Sequence, residues 1–373
     1  MSRGRQTENS LLAKIARGFR STAAVGDPSG KAGAANHVSL GIGDDAALFQ
    51  PASGCETILT CDWFLEGTHF LREKHPPDAV GWKCLARALS DIAAMGGTPR
   101  CFLLSLALPE SATGSWLAKF LRGLRRAAQR FGCVLAGGDT TKRDEILINI
   151  IVVGEVQRGR ALRRDGARAG DLLYVSGRLG EAEQGLHLIR KHRGIANHNN
   201  SQLRKHLYPE PRLALGQWLV AKRLATAAMD LSDGLSSDLP RLCAASGVGA
   251  RVDAQKLPHA NLPSSSPRAH HKTNSAPKNE ALQLALHGGD DYELLFTVPQ
   301  NKAPRVPVSF QGIPLTAIGK ITASPKLLLV ADRNKPTPLK PGGWDPFLLT
   351  RILARRVPCV FTPSKQRRKR GTI

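Results

Sequence analysis

Aspartates gathered at glycine-flanked turns constrain this chain more than anything else in it. The strongest case is Met229-Asp230-Leu231-Ser232-Asp233-Gly234-Leu235-Ser236-Ser237-Asp238, where Asp, Ser and Asp stand close together ahead of a Gly and an apparent helix start. Gly41-Ile42-Gly43-Asp44-Asp45, Gly137-Gly138-Asp139-Thr140-Thr141 and Gly288-Gly289-Asp290-Asp291-Tyr292-Glu293 have the same character. Clustered carboxylates repel one another unless a cation lies between them. A chain of formal charge +23 that keeps acid at a few such turns points to a site built for cations.

The 373 residues suffice for two domains with a substantial core, and the 42% hydrophobic and 22% charged content is that of a soluble globular protein. No apolar run approaches the roughly 20 residues that span a bilayer. The first residues, Met1 to Glu8, carry no apolar stretch of the kind a secretory signal needs. The Cys count of 7 is odd and there is no CxxC, which argues against a disulfide framework and a zinc site and for a reducing, cytoplasmic setting. The positive balance fits either a nucleic-acid binder or an enzyme with anionic ligands. Much of it lies at the periphery, in the tail from Ser364 and around Arg190–Arg193, and aromatics are only 5%, with no basic and aromatic alternation for stacking bases. Nucleic acid is therefore not the expected partner, although the tail could touch RNA weakly.

Periodicity predicts a short helix within 1–20, with Leu11, Leu12, Ile15, Ala16 and Phe19 at helical spacing. Helices follow over 77–95 and 115–130. Strands are expected at 38–41, 46–49, 57–62, 100–108, 133–136, 145–153, 172–176, 294–298, 315–321 and 327–330. A boundary falls near 155–170, where the sequence is turn-rich and charged. Stretches near 191–205 and 259–280 read as polar inserts. Strands and helices mix in both halves, so the fold class is α/β in an α+β layered sense: two domains with mixed sheets flanked by helices. Gly26-Asp27-Pro28-Ser29-Gly30-Lys31 imitates a phosphate loop, but it is one spacer short and Ala32 replaces the magnesium-binding hydroxyl. His270-His271 reads as loop rather than as a metal site.

Asp44, Asp45, Asp62, Asp91, Asp139, Asp230, Asp233, Asp290 and Asp291 sit beside predicted strand ends or, for Asp91, in a helix. Each alone is an ordinary turn or cap residue. Together, with no His or Cys cluster, they point to hard oxygen ligands and magnesium rather than zinc. Magnesium held this way usually also binds substrate phosphates, and the adjacent glycines let backbone N–H groups approach them. Glycosidase chemistry needs only two acids and usually aromatic platforms, which are lacking here.

With these residues the chain resembles the thiamine-monophosphate kinases, of the superfamily that includes aminoimidazole ribonucleotide synthetase and selenophosphate synthetase. Eight markers occur in the family's order: 41–45, 61–70, 88–97, 137–141, 159–164, 229–235, 288–294 and 343–347. Gly288-Gly289-Asp290-Asp291-Tyr292-Glu293-Leu294 separates this family from its relatives, and no reactive Cys stands in an N-terminal Gly-rich loop as in selenophosphate synthetases. Ala88 stands where the family often has Asn, and Cys61 where it has Thr or Ser.

The resemblance implies ATP-dependent phosphorylation of thiamine monophosphate to thiamine diphosphate. It implies several magnesium ions on Asp45, Thr60, Asp62, Asp91, Asp139, Asp230 and Asp233, with Asp45 and Asp230 central to turnover and no general base. Gly138, Arg164 and Ser232 would contact ATP. His69, Asp290 and Trp344 would contact thiamine monophosphate. Residues 1–37 would be an N-terminal helix and loop, 38–156 an ATP- and magnesium-binding dimerisation domain, 157–347 a second α/β domain, and 348–373 a basic tail. A cytoplasmic homodimer is expected. The alternatives are another ATP-using synthetase of the superfamily and a basic RNA-binding protein in which the acids are only turns.

Overall fold

A computed structural model describes residues 8–19, 37–42, 45–191, 201–260, 276–331 and 335–347. The imitation phosphate loop, Asp44, the His270-His271 pair, most of both polar inserts and the basic tail lie outside the described residues. In order, the first half contains α1 (Glu8–Phe19), β1 (Val38–Leu40), β2 (Leu48–Phe49), β3 (Cys55–Leu65), α2 (Pro77–Ala94), β4 (Thr98–Leu108), α3 (Ser115–Phe131), β5 (Val134–Lys142) and β6 (Leu147–Gln157). The second contains β7 (Leu172–Ser176), α4 (Glu181–Lys191), α5 (Ser201–Leu207), α6 (Leu213–Ala221), β8 (Ala227–Leu231), α7 (Leu235–Ser246), β9 (Gly249–Asp253), α8 (Ala276–His287), β10 (Glu293–Val298), β11 (Ser309–Phe310), β12 (Ile313–Thr322), β13 (Leu327–Val330) and β14 (Pro336–Pro338).

The first domain carries a mixed four-stranded sheet in the order β3-β6-β4-β5, and the second an eight-stranded sheet ordered β14-β13-β9-β12-β7-β10-β8, with β11 attached to β12. Helices flank both, as the mixed pattern predicts. Three expectations are corrected. The Gly137-Gly138-Asp139 stretch is strand, because β5 continues through it in parallel pairing with β4, shifted in register between Phe102 and Leu103. The insert predicted near 191–205 includes a helix: Gln202, Leu203, His206 and Leu207 of α5 are buried, so polar residues disguised a packed segment. The stretch near 259–280 likewise runs into α8 at Ala276.

Helix α2 organises the interior. Small and apolar residues bury it on nearly every side. Its middle joins the first-domain core with Phe102, Phe120, Ile148 and Ile150. Ala93 and Ala94 at its end belong instead to a second-domain cluster with Tyr174, Leu215, Leu219 and Phe296. Ala79 at its start packs with Ile189, Leu203 and Leu207 of α4 and α5. Contact with α6 is backbone to backbone: a Cβ on Gly216 would lie 1.9 Å from the Ala93 carbonyl oxygen.

On β3, alternation sends Thr60, Asp62 and Phe64 to one face and Leu59, Cys61 and Trp63 to the other. Leu59 is 69% and Trp63 55% exposed. In register beside them stand Val153, Ile151 and Asn149 of β6, and then Cys101, Leu103 and Ser105 of β4. Asn149 and Ser105 apart, this sheet face is apolar.

Candidate active site

Positions four apart on a helix lie on one side, and Lys83, Arg87 and Asp91 form such a charged stripe on α2. Each meets a different partner. Asp91 accepts a short hydrogen bond from the Thr60 hydroxyl on β3. Arg87 donates to Asp62 at 3.3 Å, and its guanidinium lies 5.6 Å from the Phe64 ring centroid. Lys83 donates to Asp290 at 2.8 Å across the domain boundary. Helix α2 also packs against β8, whose penultimate residue is Asp230.

Asp62, Asp91 and Asp230 thereby become electrostatic neighbours. Asp230 is 4% exposed. Burial, then the charges of Asp91, Asp238 and Asp62, push its carboxyl well above the ordinary range. Burial and Asp62 push Asp91 upward too, against the Thr60 hydrogen bond and the charges of Arg164 and Arg87. Among the described residues no three acidic, His or Cys side chains are close enough to hold one ion by themselves. Such a set suits magnesium that takes one or two carboxylates and completes its shell from phosphate and water.

Beside the acids is a cavity of about 470 Å³ that includes Thr60, Asp91 and Arg164, with an apolar lining from Ile58, Met95, Leu162 and Met229. A lining that is charged in part and apolar in part suits a ligand that carries both phosphates and a flat ring.

On the opposite side, His69 and Trp344 stand with ring centroids 6.5 Å apart, and Phe64 lies 5.7 Å from His69. The Leu65 backbone N–H donates to His69 Nδ1 at 3.0 Å, so the neutral ring carries its proton on Nε2. Burial, helped by Arg87, lowers the His69 pKa to about 4, against Asp290. The ring is uncharged at neutral pH. Asp290 accepts from Lys83 and, at 2.7 Å, from the Tyr292 hydroxyl. Burial opposes its charge, yet Lys83 and Arg87 hold its carboxyl well below the usual range. Behind Lys83 lie two neutral imidazoles, His206 at 3.3 Å and His75 at 3.2 Å from His206. Burial and Lys83 lower both pKa values.

The loop after β8 is fixed from below. Buried Asp238 accepts from the backbone N–H of Ser232 and Asp233. Asp233 itself is ion-paired at 2.6 Å with Arg241, and its carbonyl accepts from the Trp344 N–H at 2.9 Å. The Ser232 carbonyl accepts from the Asp290 N–H. One loop thus anchors Ser232, Asp233, Asp290 and Trp344 together. Asp139 is exposed on β5, where it bonds the Thr140 N–H, and Asp45 is exposed in the bend between β1 and β2. Gly138 is where β5 lies hardest on β4: a Cβ would fall 1.9 Å from the Leu104 carbonyl oxygen.

Sequence reasoning missed Lys83 and Arg87. The available signal was a pair of long cations, four apart, in a run of Cys, Leu and Ala that ends at Ser90-Asp91. It also missed Asp238 and Asp291 as scaffolding. Asp291 is buried and caps α4 by accepting from Gly180 and Ala182 N–H.

Residues 43–156 match the sequence model of the AIR synthase related protein, N-terminal domain, and 168–332 that of its C-terminal domain. Thiamine-monophosphate kinase of Escherichia coli strain K12 is 38% identical over 314 residues, covering 83% of this chain and 92% of its own. The crystal structure of thiamine-monophosphate kinase from Stenotrophomonas maltophilia K279a superposes with a TM-score of 0.71 at 35% identity, covering 87% of this chain and 97% of that one. A structure of AaThiL complexed with AMPPCP and TMP gives 0.64 at 30% identity, covering 91% and 98%.

Proposed function

The chain belongs to the AIR synthase related family, among the thiamine-monophosphate kinases, and on that premise we propose that its interdomain cleft transfers a phosphoryl group from ATP to thiamine monophosphate, giving ADP and thiamine diphosphate. One observation carries the reading. Asp62, Asp91 and Asp230 gather beside a cavity lined by Thr60, Asp91 and Arg164, and Asp62 is joined through Arg87 and Phe64 to the rings of His69 and Trp344. Donor and acceptor would meet over the acids.

The attacking atom is an oxygen of a phosphate already ionised at neutral pH, so no general base is required. The obstacle is the mutual repulsion of two polyanions. Magnesium, when bound, would neutralise the phosphates and stabilise charge on the transferring group. Asp62, Asp91 and Asp230 fit it as hard oxygen donors whose own repulsion a cation would relieve, and Thr60, Asp45, Asp139 and Asp233 complete the proposed set. Asp233 would have to share its carboxylate with Arg241. Arg164, Gly138 and Ser232 would face ATP. Asp290, kept ionised by Lys83, would meet the cationic and amino-bearing rings of thiamine, with Trp344 as an aromatic wall. His69, held by the Leu65 N–H, would orient the substrate rather than move a proton.

We assign 38–156 to ATP and magnesium binding and to dimerisation, 157–347 to the second domain, and the basic segment 348–373 to neither. The apolar outer face bearing Leu59 and Trp63 supports a homodimer formed through the first sheet. No helix among the described residues is long and apolar enough to cross a membrane. The free thiols at Cys55, Cys61, Cys84, Cys101, Cys133 and Cys243 are consistent with the reducing cytoplasm.

The test is ADP release from ATP by the purified protein. Thiamine monophosphate with magnesium should support it, while thiamine, or thiamine monophosphate with chelator, should not. ADP release indifferent to thiamine monophosphate would overturn the reading. His69→Ala should raise the KM for thiamine monophosphate about tenfold while leaving kcat within a few-fold, as expected for a lost orienting contact. With a pKa near 4, His69 should add no limb to the pH–rate profile between pH 6 and 8.

A further inference from the structure

The roles given above leave Arg87 without a task. Its side chain is sheltered, lying along the Phe64 ring. Among the described residues its one hydrogen bond is the 3.3 Å contact to Asp62, and its buried Nε has no partner there. A guanidinium offers five N–H donors in a planar fork that matches a phosphate. Burying that fork with most of it unused is costly unless a ligand completes it.

Its location says which ligand. Asp62 stands on one side, and behind Asp62 lie Asp91 and Asp230. On the other side are Asp290, whose charge acts on Arg87, and the Phe64 ring that Arg87 lies along, itself 5.7 Å from the His69 ring. Arg87 is thus interposed between the acids and the ring pocket of His69 and Trp344. A substrate with rings at one end and a phosphate at the other, its rings against Trp344, must pass its phosphate over Arg87 to reach the acids.

We propose that Arg87 is a substrate-binding residue whose guanidinium grips the phosphate of thiamine monophosphate and presents it to the acidic cluster. The inference deepens the kinase reading and rests on it. Arg87 supplies resident positive charge where two polyanions converge. It also gives the site a way to prefer the phosphorylated vitamin to thiamine itself, since only the phosphorylated form completes the fork. Neutralising Asp62 alone would need no such selectivity.

Calorimetric titration at fixed magnesium, without nucleotide, tests this with thiamine monophosphate and thiamine as the two probes. Arg87→Met should weaken thiamine monophosphate by about 10- to 100-fold, the range for hydrogen bonds to a charged group, and leave thiamine unchanged. Arg87→Lys, which keeps the charge but loses the fork, should fall between. The KM for thiamine monophosphate should rise in parallel while that for ATP stays put. Equal weakening of both probes would assign Arg87 to structure, and no weakening of either would remove it from the site. Both results overturn the proposal. Absence of ADP release by the unaltered protein would instead overturn the reading beneath it.

Discussion

Asp230→Asn should leave a folded protein that scarcely turns over. The substitution keeps the shape of a side chain packed under α2 and removes the charge that a cation would need. Loss of a direct metal ligand should lower kcat by at least about a hundredfold, more than the 10- to 100-fold that outer-shell partners cost. The stability effect should run the other way. Asp230 is a buried carboxylate beside Asp91, Asp238 and Asp62, and both burial and those charges penalise its ionised form. Without divalent metal, the asparagine variant should therefore melt no lower than the parent. Added magnesium should raise the parent's melting temperature by linkage and the variant's by less. Full turnover at limiting magnesium, or a variant several degrees less stable in chelator, would show that Asp230 serves packing rather than metal.

The second large effect is expected away from the reaction. Glu293 is fully buried at the start of β10, paired with Lys205 of α5 and with both Nε and Nη2 of Arg212 just ahead of α6. The Ser176 hydroxyl donates to it at 2.5 Å. Burial alone would raise its carboxyl. Lys205 and Arg212 outweigh that and bring it down to about 2 from 4.5. Because the folded-state pKa is depressed, the charged form contributes stability that is complete above pH 4.5 and is lost as pH falls toward 2. Glu293→Gln leaves two buried cations without their counter-charge, which should cost about 3–5 kcal/mol at pH 7. Urea midpoints of parent and variant should differ widely at pH 7 and converge near pH 2–3. Coincident midpoints at pH 7 would refute the role.

The motif Gly288-Gly289-Asp290-Asp291-Tyr292-Glu293 shows how far a sequence can be read. Its acids are visible as a cluster, but one residue faces the cleft, the next caps α4, and Glu293 ties α5 and α6 to the sheet. Adjacent carboxylates diverge because Asp290 and Tyr292 adopt positive φ angles of 66° and 50°, which no periodicity reveals. The strands of the first sheet were legible because their apolar runs are long and bounded by Gly and Pro. The second domain was less so: β8 and β9 are five residues each and fully or mostly buried, and a short buried strand carries no alternation to recognise. The insert that holds α5 was hidden because its buried side chains include Gln202 and His206, polar groups satisfied by tertiary partners. Arg87 was overlooked for the opposite reason. In a helix flanked by Lys83 and Asp91 an arginine passes for a solvated residue, and only burial from both domains makes it unusual.

That α2 belongs to the cores of both domains limits how the molecule can move. A hinge between rigid lobes requires an interface that can part. Here parting would pull Ala93 and Ala94 out of one cluster or Leu85 and Leu89 out of the other, and would break the Gly216 backbone contact on the way. Parting of the domains should therefore be costly, and motion is expected in the loops at the rim rather than between the domains. The same arrangement denies either half independence: cut anywhere near residue 157, the first would carry a helix with a bare apolar flank and the second a hole where that flank belongs. Folding of the two halves and the gathering of Asp62, Asp91 and Asp230 should therefore be coupled.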